Sequence, residues 1–454
     1  MSCCTRPVNH LHMASNTVSL LLLIKGQHSD DYVRYGSSWY HSHFSLQAWD
    51  GVFGPIVING PATANYDEDL GPVIVQDWSH QTTDELYQTA QYTGKPPAMD
   101  NGLINGMNVY GDGGSRWTTT FEAGKTYRLR LVNAAVDSFF AVSLDNHTMT
   151  VIAADFVPIN PYETTTIHLG IGQRYDVLIT ANQEATASSF WLRAVPDSFC
   201  SVSSNPNNIM GIVNYASNYT SSSTPSEPTT SAWPSLSEAN NCYGELDSNI
   251  VPALPLTVAP SLSVLIEDME FKPNSQGLQR WYLDGSTFFQ PWDNPMALEL
   301  VNGVEIFNAS QNVIITDLED EWHYLVVETV EPFAHPIHLH GHDFYVLAKG
   351  AGSYPQAGLS GISMPLNPPR RDTEMLPAEG WLLIAFQSDN PGAWVLHCHI
   401  GWHQLTGFSM QILDQMSKIA GLYSEADLEA TCGPWSEYYD NAGFTQKGDD
   451  DDGI

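Results

Sequence analysis

The chain has 454 residues, room for about three domains of ordinary size. Lys and Arg number 17 against 51 Asp and Glu, a formal charge of −34, which excludes nucleic acid and anionic bilayers as partners. Only 15% of residues are charged, while Gly (34), Pro (28) and aromatics (11%) are plentiful, so coiled coil and disorder are excluded and strands joined by turns are favoured.

From the N-terminus, residues 1–30 lack the basic segment, apolar core and cleavage site of a signal peptide, and the apolar run 20–24 is far shorter than the roughly 20 residues of a membrane span. Residues 127–132 alternate as a strand does, and 175–180 are rich in aromatic and β-branched residues. Asn105-Gly106, Asp284-Gly285 and Asn302-Gly303 are turn signals between such runs. Short strands and frequent turns predict an all-β chain of sandwiches or barrels. Between Ala216 and Ser235, 14 of 20 residues are Ser, Thr or Pro, which predicts a loop near a domain border. Cys200 and Cys242 bracket it, and a disulfide there would stabilise the chain by ~3 kcal/mol. Asn146, Asn218 and Asn308 begin glycosylation sequons, which with the six cysteines point to an oxidising, extracellular setting. Helical pattern is confined to short pieces and to residues 424–430, and the tail 449–452 is a solvated acidic end.

Three clusters hold the chemistry: Trp39-Tyr40-His41-Ser42-His43, His335-Pro336-Ile337-His338-Leu339-His340-Gly341-His342, and His397-Cys398-His399-Ile400-Gly401-Trp402-His403. Side chains two apart on a strand leave the same face, so His41 with His43, His338 with His340, and His397 with His399 can each act as a pincer. Imidazole sets suit zinc, copper, iron or nickel, and Cys398 narrows the choice. Its sulfur faces away from His397 and His399, where His403 and the remote His335 would complete a Cys-His₂ blue-copper site. Ten residues past Cys398, at the axial place, stands Phe408, which cannot coordinate; Met410 is the nearest competing sulfur. Such a site predicts a high reduction potential. Cys398 is covalently joined to His397 and His399, so a one-electron collector is wired to a multi-metal centre on the opposite face. A closed zinc site through Cys398 is the competing reading.

At these residues the chain resembles the multicopper oxidases, and among them the ascomycete-type laccases. The likeness runs from Tyr35 onward through Tyr35-Gly-Ser-Ser-Trp-Tyr-His-Ser-His-Phe44, Gly54-Pro-Ile-Val-Ile-Asn-Gly-Pro61, His147-Thr-Met-Thr-Val-Ile-Ala-Ala-Asp155, Asn367-Pro-Pro-Arg-Arg-Asp-Thr373 and Asp389-Asn-Pro-Gly-Ala-Trp-Val-Leu-His-Cys-His399. It implies tandem cupredoxin-like Greek-key β-sandwich domains, the first truncated: 1–62 a remnant of domain one, 63–245 domain two, and 246–454 domain three with the type-1 copper. It implies His335, Cys398 and His403 as type-1 ligands with Phe408 axial, His338 as a type-2 ligand, and His41, His43, His340, His397 and His399 as type-3 ligands, for up to four coppers. Asp155 is similar in position to the acidic residue that assists deprotonation of phenols.

The implied activity is one-electron oxidation of phenols or aromatic amines coupled to reduction of dioxygen to water, by a secreted monomer. The family's first motif, His-Trp-His-Gly, has no counterpart before His41, and His10-Leu11-His12 matches it in spacing but not in flanks; this leaves eight of ten histidines. The alternatives are therefore a truncated or degenerate blue-copper protein unable to reduce dioxygen, or a ferroxidase or ascorbate-oxidase type. The resemblance also implies a disulfide from Cys432 to Cys3 or Cys4, and a channel plug formed by residues 449–454.

Overall fold

The computed structural model describes residues 34–216, 227–237, 242–261 and 264–442. Residues His10, His12, Cys3, Cys4, Asn218 and 449–454, on which several expectations fall, lie outside them. Two β-sandwiches dominate. In the first, a six-stranded sheet in spatial order Val157–Thr164, Met149–Ala154, Arg174–Thr180, Thr126–Asn133, Glu68–Trp78, Asn101–Ile104 packs on a five-stranded one, Ile167–Leu169, Phe140–Leu144, Ser189–Pro196, Met210–Tyr215, Thr118–Phe121.

The second sandwich repeats the plan. Its six-stranded sheet runs Gln279–Leu283, Val264–Pro273, Trp322–Thr329, Gly380–Gln387, Phe344–Ala351, Arg370–Arg371, and its five-stranded sheet Val313–Thr316, Ser409–Asp414, Gly392–Cys398, His335–Leu339, Thr373–Leu376. Each sheet contains one parallel pair among antiparallel ones, as a strand returning from far along the chain must make. The fold is thus all-β with the tandem cupredoxin-like architecture expected.

The strand Thr126–Asn133 shows why alternation alone understates its burial. Tyr127, Leu129 and Leu131 enter the core, while Arg128 and Arg130 are buried on the other face beneath the hairpin of Gly36–His41 and Phe53–Ile58. Arg128 donates to Asp176 at 2.5 Å, and Arg130 donates to the Ser37 hydroxyl of the hairpin at 2.9 Å. A paired polar layer, not an apolar one, seats this hairpin.

Two turn signals behave as hairpin turns, with left-handed backbone at Asn105-Gly106 and Asp284-Gly285. Asn302-Gly303 instead ends the short helix Met296–Val301. An unanticipated helix, Thr83–Thr93, is announced by a Thr82/Glu85 capping box and closed by left-handed Gly94. The C-terminal helix, Glu425–Ala442, is longer than the pattern at 424–430 suggested, and its Trp435 packs on Phe44 and Trp292 beside the hairpin. Cys200 and Cys242 form the disulfide expected of them. Among the described residues no helix is long and apolar enough to cross a membrane.

Candidate metal centres

The strand register sorts the ligands. Gly392–Cys398 and His335–Leu339 run antiparallel, with His397 opposite His338 and Cys398 opposite Ile337. Alternation therefore sends His397 and His338 to one face and Cys398 and His335 to the other. The x₂ spacing between His335 and His338 is what splits them.

On the second face, the Nδ1 atoms of His335 and His403 lie 3.7 and 3.5 Å from the Cys398 sulfur. His403 arrives on the one-turn helix Gly401–Leu405, and the chain then returns so that the Phe408 carbonyl accepts from the Cys398 amide. The Phe408 ring is fully buried, its centroid 5.2 Å from that of His335, and the Trp281 ring lies 4.9 to 5.0 Å from His335, His403 and Phe408. Met410 sits across from Leu396, within the apolar core. Burial pushes the Cys398 thiol well above its usual range and holds His403 down to about 3, so a thiolate here requires a cation beside it.

On the first face, the Nε2 atoms of His43 and His340 lie 3.4 and 3.2 Å from that of His397. His399 closes the group, its ring 5.6 Å from that of His41 and 5.7 Å from that of His338. A cavity of about 120 Å³ is lined by His41, His43, His338, His340 and His399.

Tautomers are set by backbone. The Nδ1–H groups of His41, His338 and His397 donate to the carbonyls of Ser42, Asp372 and Cys398 at 3.0, 2.6 and 2.9 Å. Each therefore presents an Nε2 lone pair. Burial, reinforced by neighbouring imidazoles, keeps His41 down to about 4 and His43, His340, His397 and His399 well below the usual histidine value. Neutral imidazoles converging nitrogen to nitrogen, beside a thiol with two imidazoles, form a donor set that fits copper. His342 is different: it sits 3.2 Å from the Asp414 carboxylate and backs the His340 carbonyl.

The structure places Asp155, expected to assist deprotonation of phenols, in a buried network of charged groups. Its carboxylate is wholly buried and accepts from Arg371 Nε at 3.1 Å, from the Arg174 amide at 2.9 Å and from the Asp372 amide at 3.3 Å, next to the His338 side. Asp137 is an acidic residue whose charge acts on the Cys398 thiol, and no spacing in the sequence marks it. Its loop is held by Asp77, whose carboxylate accepts the amides of Val136, Asp137 and Ser138, and the Val136 carbonyl accepts from Gly401 at the head of the His403 helix. Asp137 Oδ2 is buried without a hydrogen-bond partner, and burial and then Asp77 raise its carboxyl well above the usual range. Nothing local in Ala134-Ala135-Val136-Asp137 announces this, because the neighbours that matter, Asp77 and Cys398, are 60 and 261 residues away in sequence.

Fold and site together define a copper oxidoreductase of cupredoxin sandwiches. Models of the multicopper oxidase family match residues 30–63, 69–218 and 281–418. Laccase-2 of Botryotinia fuckeliana is 42% identical over 437 residues, covering 93% of this chain and 72% of that protein. The crystal structure of the Botrytis aclada laccase superposes with a TM-score of 0.85 at 40% identity, over 93% of this chain and 77% of that one. Fet3p, a multicopper oxidase that functions in iron import, shares the fold with a TM-score of 0.74 at 23% identity. The chain belongs to the multicopper oxidases and is a laccase-like oxidoreductase that uses copper. The zinc, ferroxidase, ascorbate-oxidase and degenerate readings are not favoured.

Proposed function

We propose that the chain oxidises phenols or aromatic amines one electron at a time at a blue-copper site and reduces dioxygen to water at a second, histidine-lined centre. The observation that carries this is the Cys398 sulfur beside two imidazole Nδ1 atoms, with its peptide neighbours His397 and His399 on the opposite face. In this reading His335, Cys398 and His403 hold the type-1 copper with Phe408 axial, His338 belongs to the type-2 site, and His41, His43, His340, His397 and His399 to the type-3 pair. Up to four coppers are accommodated in the family pattern. Bound copper supplies one-electron redox chemistry at Cys398 and the electron storage that dioxygen reduction requires.

The chain's own groups do the rest. Phe408 and Trp281, packed against His335 and His403, offer no further donor and would exclude water from bound copper, which would disfavour its oxidised form and raise the potential. Cys398 and its two peptide bonds give the electron a covalent route between the faces. Asp137 takes the phenolic proton as the ring loses its electron, since a buried carboxyl of raised pKa is closer to a phenol in basicity than an ordinary one. The same reading makes the protein a secreted monomer carrying glycans, supported by the exposure of sequon residues Asn146 and Asn308. It also keeps the division 1–62, 63–245, 246–454, supported by sheets whose strands stay within those limits.

Copper analysis, optical and paramagnetic spectra and oxygen uptake on the purified copper-loaded protein test the proposal. The expected result is an intense blue band, a second non-blue paramagnetic copper, and one dioxygen consumed per four phenol oxidations. Turnover of ferrous iron or ascorbate far above phenols, or a blue protein that consumes no dioxygen, would sink it.

A further inference from the structure

We infer that Arg174 is a positioning residue for His338, acting through Asp372 and Thr373, and that it ties the hairpin bearing His41 and His43 to the same frame. The inference rests on the laccase-type reading and concerns how that second centre is held in shape.

Arg174 lies at the start of the strand Arg174–Thr180, its side chain 2% exposed. It grips Asp372 as a fork, Nη1 to Oδ1 at 2.5 Å and Nη2 to Oδ2 at 2.6 Å. Its Nε donates to the Ser37 carbonyl at 3.1 Å, in the strand that ends at His41. Nη1 also donates to the Gly172 carbonyl at 3.2 Å. Gly172 has no room for a side chain: a Cβ there would stand 2.7 Å from the His399 ring. One guanidinium thus touches the hairpin, the first sandwich and the second sandwich at the point where each contributes to the histidine cavity.

The connection to His338 is direct. Its Nδ1–H donates to the Asp372 carbonyl at 2.6 Å, with the Thr373 hydroxyl oxygen 3.1 Å away. Thr373 in turn donates its proton to Asp372 Oδ1 at 2.9 Å, which leaves its lone pair facing the imidazole. Arg174 fixes the carboxylate, the carboxylate fixes the hydroxyl and the local backbone, and these fix the plane and tautomer of His338. Around this core Arg371 pairs with Asp155, and Asp155 accepts the Arg174 amide. The four charges are buried and balanced. Taking an Arg–Asp pair out of water yields little net stability, so its consequence here lies in orientation. Partners one step removed from a metal ligand are worth about 10- to 100-fold in metal affinity or activity.

The test uses the copper-loaded full chain and the variants Arg174→Lys and Asp372→Asn. Lysine keeps the charge but cannot fork. The expected result is an unchanged blue band and unchanged KM for phenol, an altered or lost non-blue paramagnetic copper signal, and kcat lower by about 10- to 100-fold. A structural staple alone would lower the melting temperature and leave the signal of the loaded protein as in the wild type. Wild-type paramagnetic spectra with turnover within about twofold of wild type in both variants would overturn the inference. If either variant lacks the blue band through misfolding, Thr373→Val, which removes only the hydroxyl, decides by the same two readings. Failure of the laccase-type reading itself is distinguishable, because the wild-type protein would then lack the blue band or oxygen uptake.

Discussion

A carboxylate's neighbours decide what it can do, and two aspartates of this chain show the contrast. Asp155 is bonded by two arginines and two amides, whereas Asp137 keeps an unpartnered buried oxygen beside Asp77. Proton acceptance during phenol oxidation requires ionised Asp137, so the phenol rate rises as pH climbs through its raised pKa. Asp137→Asn is expected to cut kcat/KM for phenols by about 10²- to 10⁴-fold and to spare a reductant that loses an electron without a proton. Equal losses on both substrate types would contradict this.

The same residue makes a stability claim with a definite sign. Its folded pKa is raised above the unfolded value, so its contribution is complete below about pH 4 and is lost as pH rises towards the folded value. Asp137→Asn should therefore flatten the decline in melting temperature across that window. A pH profile of melting parallel to the wild type would refute it.

At the scale of elements, one strand performs two tasks because its period is two. Gly392–Cys398 delivers His397 to one face and Cys398 to the other, and its partner strand His335–Leu339 does likewise through the x₂ spacing. Both assignments were legible from spacing, since alternation is a local property of extended backbone. The helix Thr83–Thr93 is encoded locally too, in Thr82-x-x-Glu85 and Gly94. The Cys200–Cys242 disulfide closes a 42-residue separation that includes the Ser/Thr/Pro-rich segment. Replacing both cysteines with serine is expected to cost about 3–4 kcal/mol, read as a lower denaturant midpoint at unchanged blue absorbance. A midpoint within error of the wild type would show that the loop contributes nothing.

At the scale of the molecule, both centres are built across boundaries. His43 and His397 are separated by 354 residues yet bring their Nε2 atoms to 3.4 Å, so the hairpin is joined to the second sandwich through the metal cavity. Copper bound there stabilises the docked hairpin by mass action. Removing copper by chelation under reducing conditions should lower the melting temperature by at least about 5 °C and make the hairpin 36–58 more susceptible to protease. Re-addition of copper should restore both. An apo-protein that melts with the holo-protein would mean that the cavity does not bind metal in the folded state.

The sequence by itself determined the all-β class, the faces to which His335, His338, His397 and Cys398 turn and the softness of the Cys398 site, because each follows from spacing along one strand or from one side chain's chemistry. Only the tertiary structure decided which acidic residue stands near Cys398, which arginine frames His338, and that the charged face of Thr126–Asn133 is buried under a hairpin. Arg174 and Asp372 are 198 residues apart. No local pattern encodes such a pair: contacts of that span exist only once two sandwiches and a hairpin have packed, when burial strengthens the few charges caught between them.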